Sequence, residues 1–473
     1  MLCDFPFSSL NVAHTVGVTA QHPSHRREWL TMTKRHLKAG FFWRAGLRLA
    51  VIGVPLFLSA TGDASGLLSL HHHKTAAQNE AANKRTDSSQ PPAFSIPVEP
   101  LGFFAPGAFY QGLRISFVSL DFIDENRLLF TFRTPGLIRR TPGNDGEREI
   151  RAMVLALPKG TVEAEALWTL HDHTRYLWML HDGHFLLRDG EDLEQGDATL
   201  ALKPLLHFPG PLLWMEMDPA QQFLVTDSHE PESTESHTGQ VPSPSTAAAG
   251  VTTDGEDPSG QPDIVVRILR RASGQVLLVS HVRMLVHLPV NSDGYVEALR
   301  SNGKDWALNL NYFSGGSRIL GRVESICTPP LAFVSPETVV ATTCAPNGGR
   351  RLVATSTDGR RMWALPSAPT QVWPLLVAAP NGLRLARETL TVSHPVDELS
   401  PLDFEDVKSQ LVEVYDAASG VLALKASVSP VLDGGGNVAI SPSGRRVAVL
   451  DAGAIQVYEL PAPPAVPESD IQH

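Results

Sequence analysis

Asn437–Leu460 reads NVAISPSGRRVAVLDAGAIQVYEL. An apolar run, a Ser-Pro-Ser-Gly turn, a second apolar run, a short break and a third run predict three consecutive strands. Upstream the same unit returns. It reads LDFIDENRLLFTF over Leu120–Phe132, LWMLHDGHFLLRD over Leu177–Asp189 and LWMEMDPAQQFLVTD over Leu213–Asp227. It returns more loosely as LPVNSDGYVEAL over Leu288–Leu299, then as LAFVSPETVVATT over Leu331–Thr343 and LLVAAPNGLRLARE over Leu375–Glu388. Each centre holds Asp, Asn, Pro or Gly. Asp182-Gly183 and Asp293-Gly294 supply the positive φ of a tight hairpin. The flanking runs are continuously apolar, the pattern of strands covered on both faces.

Most of these hairpins precede a second one. Arg151–Trp168 follows the first, Asp263–Ser280 the third, and LVEVYDAASGVLALK the sixth, with Ser273-Gly274 and Asp416–Gly420 at two of the turns. Two hairpins make a four-stranded unit, and uninterrupted units begin about forty residues apart, the period of a propeller blade. The larger gaps hold insertions. One is the Ser/Thr/Pro/Gly-rich stretch between Ser228 and Asp263 (residues 229–262), expected to be disordered; a smaller acidic one covers about Thr391–Val407. Seven units result. The expectation is an all-β, seven-bladed β-propeller of four-stranded antiparallel blades over residues 93–463, with a short disordered tail over 464–473. A lone four-stranded sheet cannot cover both of its faces, whereas a closed ring of sheets covers them all. A pair of β-sandwiches is the structural alternative. The last unit is one strand short, and Ala93–Phe104 is the segment placed to supply it; Pro97 and Pro100 limit it to a short edge strand.

VAISPSGRRVAVLD with IQVYEL, and VAAPNGLRLA with LVEVYDAASGVLAL, resemble blades of WD40 and YVTN-type β-propellers. No Trp-Asp dipeptide closes a blade and no Gly-His opens one. The resemblance spans roughly Pro97–Pro461. It implies the propeller and leaves the ligand open, since propellers host many functions.

Ahead of the repeats, Lys34, Arg35, Lys38, Arg44 and Arg48 precede the apolar run Leu49–Ala60, followed by small residues. This is the layout of a signal peptide over residues 32–64, cleaved near Ala60 or Ala64. The run is shorter than the roughly twenty residues that span a bilayer. Residues 1–31 then read as an over-extended gene start or a disordered extension, and residues 65–92 as a disordered tether. The expected location is the periplasm or the extracellular space, with no membrane span in the mature protein. The formal net charge is −11, and the first sixty or so residues are basic, so the body is more acidic than the total. An acidic body argues against nucleic acid as partner, because phosphate neutralisation needs a Lys/Arg surface.

Candidate chemistry is sparse. His171, His173, His181 and His184, with Asp172 and Asp182, form the densest imidazole–carboxylate cluster and are the residues to consider for a metal. Hairpin turn and connection is the better reading, so no metal or cofactor is assigned. Asp189–Asp192, Glu194 and Asp197 read as a solvated acidic loop lacking calcium-loop spacing. Asp433–Asn437 reads as a linker into the last blade. The tryptophans Trp168, Trp178, Trp214, Trp306, Trp363 and Trp373 read as core. Cys327 and Cys344 flank the first hairpin of the fifth unit and, in an exported protein, are placed to form a disulfide; two buried thiols are the alternative. No nucleophile elbow and no His-Glu-x-x-His helix occurs. The expectation is therefore a non-enzymatic binding scaffold for a protein or cell-envelope component. The alternative is a hydrolase, lyase or quinone-dependent dehydrogenase working at the channel mouth.

Overall fold

The structure is a computed structural model that describes residues 90–105, 117–134, 148–171, 174–230, 264–283, 285–346, 348–395, 404–432 and 434–462. The proposed signal peptide, His173, most of the Ser/Pro-rich insertion and residues 463–473 lie outside the described residues. None of the described helices is long and apolar enough to cross a membrane.

After the short strand β1 (Phe94–Pro97), the chain lays down antiparallel sheets in sequence order. Blade I is β2 (Val118–Asp124), β3 (Arg127–Arg133), β4 (Arg148–Ala156) and β5 (Thr161–Leu170). Blade II is β6 (Leu177–Met179), β7 (Phe185–Asp189), β8 (Asp192–Gly196) and β9 (Leu202–His207). Blade III is β10 (Leu212–Met217), β11 (Phe223–His229), β12 (Ile264–Arg270) and β13 (Val276–Val282). Blade IV is β14 (Gly294–Asn302), β15 (Asp305–Tyr312) and β16 (Ser317–Glu324). Blade V is β17 (Leu331–Ser335), β18 (Thr338–Cys344), β19 (Arg350–Ser356) and β20 (Arg361–Ser367). Blade VI is β21 (Gln371–Ala378), β22 (Arg384–Val392), β23 (Val407–Asp416) and β24 (Leu422–Val428). Blade VII is β25 (Val438–Ile440), β26 (Arg446–Asp451) and β27 (Ala454–Glu459), completed at its edge by β1.

Ring closure is visible in the core. Seven apolar clusters each join one blade to the next. Leu128, Phe130 and Phe132 of β3 pack with Ala448 and Leu450 of blade VII. Leu129, between them, packs toward blade II with Leu177 and Phe185. The series continues from II to III, III to IV, IV to V, V to VI and VI to VII. Both faces of an inner strand are therefore covered, which is why these runs are continuously apolar instead of alternating.

The clasp joins the two ends of the repeat region. Phe94 pairs with Val457 and Ile96 with Ile455. Ile96, Val98 and Phe103 are buried in the cluster between blades VII and I. Phe103 meets Phe130 and Phe132 edge-on at 5.7 and 5.4 Å.

Two blades differ from the sequence expectation. Blade IV has three strands, and its innermost position is held by a single bridge, Val290 to Tyr295. Pro289 has no N–H to give to a ladder, which cuts the strand short. In blade II the acidic stretch Asp192–Gly196 is not a loop but strand β8, paired with β7 and β9.

The ring has two rims. The upper rim carries the turns between first and second and between third and fourth strands. The lower rim carries the second-to-third connections and the crossovers between blades. The long connections after β3, β11 and β22 all leave from the lower rim. Each third-to-fourth pairing within blades I–VI is interrupted by one bulge, beside the upper-rim turn in blades I, III, V and VI and farther from it in blades II and IV. Gly274 (φ 66°) and Gly420 (φ 69°) take the left-handed position that such a hairpin needs.

Candidate functional site

The first-to-second-strand turns converge on the upper mouth of the central channel. Phe122, Met179, Met217, Phe333, Val377 and Ile440, one from each of six blades, line a concavity of about 680 Å³ of empty space, counted out to open solvent. Four polar side chains join them: Asp121, His181, Asp218 and Gln221. Two are occupied by turn structure. The Asp218 carboxylate accepts the Phe223 and Ala220 N–H groups at 2.6 and 3.1 Å. Gln221 donates to the Met179 carbonyl at 2.8 Å and accepts the His181 N–H at 2.6 Å, binding blade III to blade II. Burial pushes the His181 imidazole down. Asp121 is buried and accepts the Ser119 hydroxyl at 2.6 Å. Desolvation pushes its carboxyl up to about 7, against the opposing pull of Ser119 and Arg175.

A second polar cluster lies where the inner strand of blade IV is curtailed. His287 Nδ1 meets Glu216 Oε2 at 2.7 Å, and His287 Nε2 lies 2.7 Å from the Leu331 carbonyl of blade V. Asp227 accepts the Val286 N–H at 2.9 Å, and burial, then the neighbouring Glu216 charge, raises its carboxyl to about 7. The Trp214 ring stands edge-on to His287 at 6.0 Å. These groups pin Val286 and His287 between blades III and V, where a regular strand would otherwise hold them.

Among the described residues, the sequence candidates His171, His181 and His184 are not brought together. His171 sits at the lower end of blade II, its ring nitrogen 3.1 Å from Asp189. His181 and His184 flank the Asp182-Gly183 turn at the upper end, His184 pairing with Asp182 at 3.1 Å. The length of β7, about 16 Å, separates the two groups. Among the described residues no three His, Cys, Asp or Glu side chains form a metal-binding group. The acids of this stretch are turned to local work: Asp192 of β8 accepts from His207 at 2.8 Å, and Asp197, just after the strand, accepts the Thr199 N–H and hydroxyl.

Trp168 and Trp178 are buried between blades. Trp306 and Trp363 are buried too, and each donates its indole N–H to a carbonyl, of Ser325 and Ala417. No described tryptophan lines the mouth. Cys327 and Cys344 are joined as a disulfide, tying the crossover between blades IV and V to the end of β18. Gly436 leads into blade VII so close to blade I that a Cβ there would lie 2.0 Å from the Val118 carbonyl. Asp121, Glu216, Asp227 and His287 were not singled out by the sequence. The signal available was one acid inside an otherwise apolar run, as in LDFI, LWMEM and FLVTD.

No protein-family model matches this sequence, and no curated protein matches it. Solved structures do. The C-terminal WD40 domain of Sif2 matches at 11% identity over 74% of this chain and 97% of that one, with a TM-score of 0.37. Pyrococcus horikoshii acylaminoacyl peptidase matches at 10% identity over 74% of this chain and 52% of its own, TM-score 0.42. Kuenenia stuttgartiensis hydrazine synthase matches at 14% identity over 58% of this chain and 72% of its own, TM-score 0.35. The chain is a seven-bladed β-propeller.

Proposed function

We propose that this protein is an exported, non-enzymatic scaffold whose channel mouth docks an apolar segment of a protein or cell-envelope component. The observation that carries the reading is the lining: six blades each contribute an apolar side chain, while Asp218 and Gln221 are held by turn hydrogen bonds. Met217, Pro219, Val377, Ala378 and Pro380 of that lining stay partly exposed, and such groups gain free energy by losing water from apolar area. The Cys327–Cys344 disulfide supports an oxidising compartment, and the acidic body supports a partner other than nucleic acid.

A photo-crosslinking residue at Val377 should capture a defined partner that the same residue at Leu167, an exposed outer-strand position, does not. Met217→Asp, at a partly exposed position of the lining, should abolish capture. Equal labelling from both positions would refute the mouth as the docking site. Amino-terminal sequencing of mature protein should begin just after Ala60 or Ala64.

A second reading, an enzyme at the same mouth, is favoured by Asp121 alone, a buried carboxyl whose pKa of about 7 suits proton transfer. A hydrolase, lyase or dehydrogenase turnover lost in Asp121→Asn would establish it.

A further inference from the structure

Outer strands of a propeller present unpaired N–H and C=O groups, and natural sheets guard such edges with charge, proline or shortness. Six of the seven outer strands here are guarded. β5 carries Glu163 and Glu165, β9 carries Lys203 and Pro204, and β16 carries Arg318, Arg322 and Glu324. β20 carries Arg361 and Pro366, β24 carries Lys425, and β1 is four residues ending in Pro97. β13 is the exception. Its seven residues, VLLVSHV, include no Lys, Arg, Asp, Glu or Pro. Val276 and Val279 are 44% and 36% exposed. One bulge interrupts the pairing of each outer strand in blades I–VI, so the bulge of β13 does not set it apart.

We propose that β13 is the edge through which two copies of this chain associate, strand against strand, antiparallel about a twofold axis. In the full-length register Val279 faces its own copy on the axis. Val276 then faces Val282, Leu277 faces His281 and Leu278 faces Ser280. No Lys, Arg, Asp or Glu of either strand takes part in these pairs. The same operation on β24 would set Lys425 against Lys425, and on β16 it would gather four arginines into one short ladder; like charges across a ladder are destabilising. Self-pairing is thus open to β13 and closed to the charged edges by their own chemistry. A twofold interface must be self-complementary, and an uncharged β-branched strand meets that condition. The occupant is therefore a second copy, and joining the two blades makes one continuous eight-stranded sheet.

The test is sedimentation velocity on the full chain, with cysteine trapping as an independent measurement. An edge-to-edge contact of this size is weak, so dimer should rise from a minor fraction at about 1 µM to a major one at about 200 µM. Val279→Lys should leave monomer throughout, whereas Val279→Thr should still dimerise. Under mild oxidation Val279→Cys should form a covalent dimer, because the paired positions lie about 5 Å apart across the ladder. Val276→Cys should not, because its two copies stand about 20 Å apart along the strand. Exposure alone predicts the reverse order. A wild-type chain that stays monomeric at about 200 µM overturns the proposal, and does so even if a synthetic VLLVSHV peptide binds, since that would mark a foreign strand as the occupant. Equal trapping at positions 276 and 279, or undiminished association of Val279→Lys, overturns it as well.

Discussion

Adjacent phenylalanines on either side of a buried seam provide a sharp test of the clasp. Phe103 is 6% exposed and lies against Phe130 and Phe132, whereas Phe104 is 65% exposed. Phe103→Ala removes a buried ring between blades VII and I, a change that costs about 3–5 kcal/mol through lost burial and the cavity left behind. Phe104→Ala should fall within about 0.5 kcal/mol of wild type, as exposed positions do. Total stability of a domain is about 5–15 kcal/mol, so the first substitution should move a urea midpoint visibly and the second should not. Removing Ala93–Phe104 altogether also strips Ile96 and Val98 from the seam, about 1.5–3 kcal/mol each, and opens the edge of β27. Equilibrium urea unfolding followed by tryptophan fluorescence reads all three. Equal midpoints for Phe103→Ala and Phe104→Ala would refute the reasoning, because a segment merely lying on the ring would make the two rings equivalent.

Asp121 and Asp227 each have a folded pKa near 7, above the ordinary aspartate value. The folded state therefore holds more protons than the unfolded one between about pH 4 and pH 7, and stability is lost as pH rises through that window. Asp121→Asn and Asp227→Asn should raise the melting temperature at pH 8 and have little effect at pH 4; destabilisation at pH 8 would contradict the assignment. The disulfide joins residues 17 apart, so reduction, or Cys344→Ser, should cost about 3 kcal/mol in urea unfolding. His287→Ala leaves the buried Glu216 carboxylate without its partner and should cost about 3–5 kcal/mol. His287→Gln should recover part of that loss, while unchanged stability in both would show that the pair holds nothing.

The blades were legible in the sequence because a strand covered on both faces leaves a continuous apolar run, and each run was broken by turn residues. Leu128–Phe132 shows this, its residues dividing between the clusters on either side. The clasp was legible from the missing strand of the last unit. β8 was not legible, because DLEQG buries little: Leu193, and Gly196 beneath the ring of Phe185. The inner edge of blade IV was misjudged for a related reason, as Pro289 ends a ladder that its apolar neighbours suggest. The mouth could not be read linearly. Its lining takes one apolar residue from each of six blades, from Phe122 to Ile440, and each looks like any other strand residue.

The stitch between β1 and β27 makes the order of the chain around the ring a matter of convention. Ala93 donates to the Val457 carbonyl at 2.8 Å, and Gln90 reaches the Glu459 carbonyl at 2.8 Å across 369 positions of sequence. A growing polypeptide can complete six blades and still present an open flank, with the surfaces around Leu128 of blade I and Val412 of blade VI awaiting cover, until its closing strands have been synthesised. Conversely, a permuted gene that fuses residue 462 to residue 90 and opens the backbone at Pro209–Gly210 would turn the long-range stitch into a local hairpin. The same seven sheets would then arise from contacts much nearer in sequence, and closure should quicken accordingly.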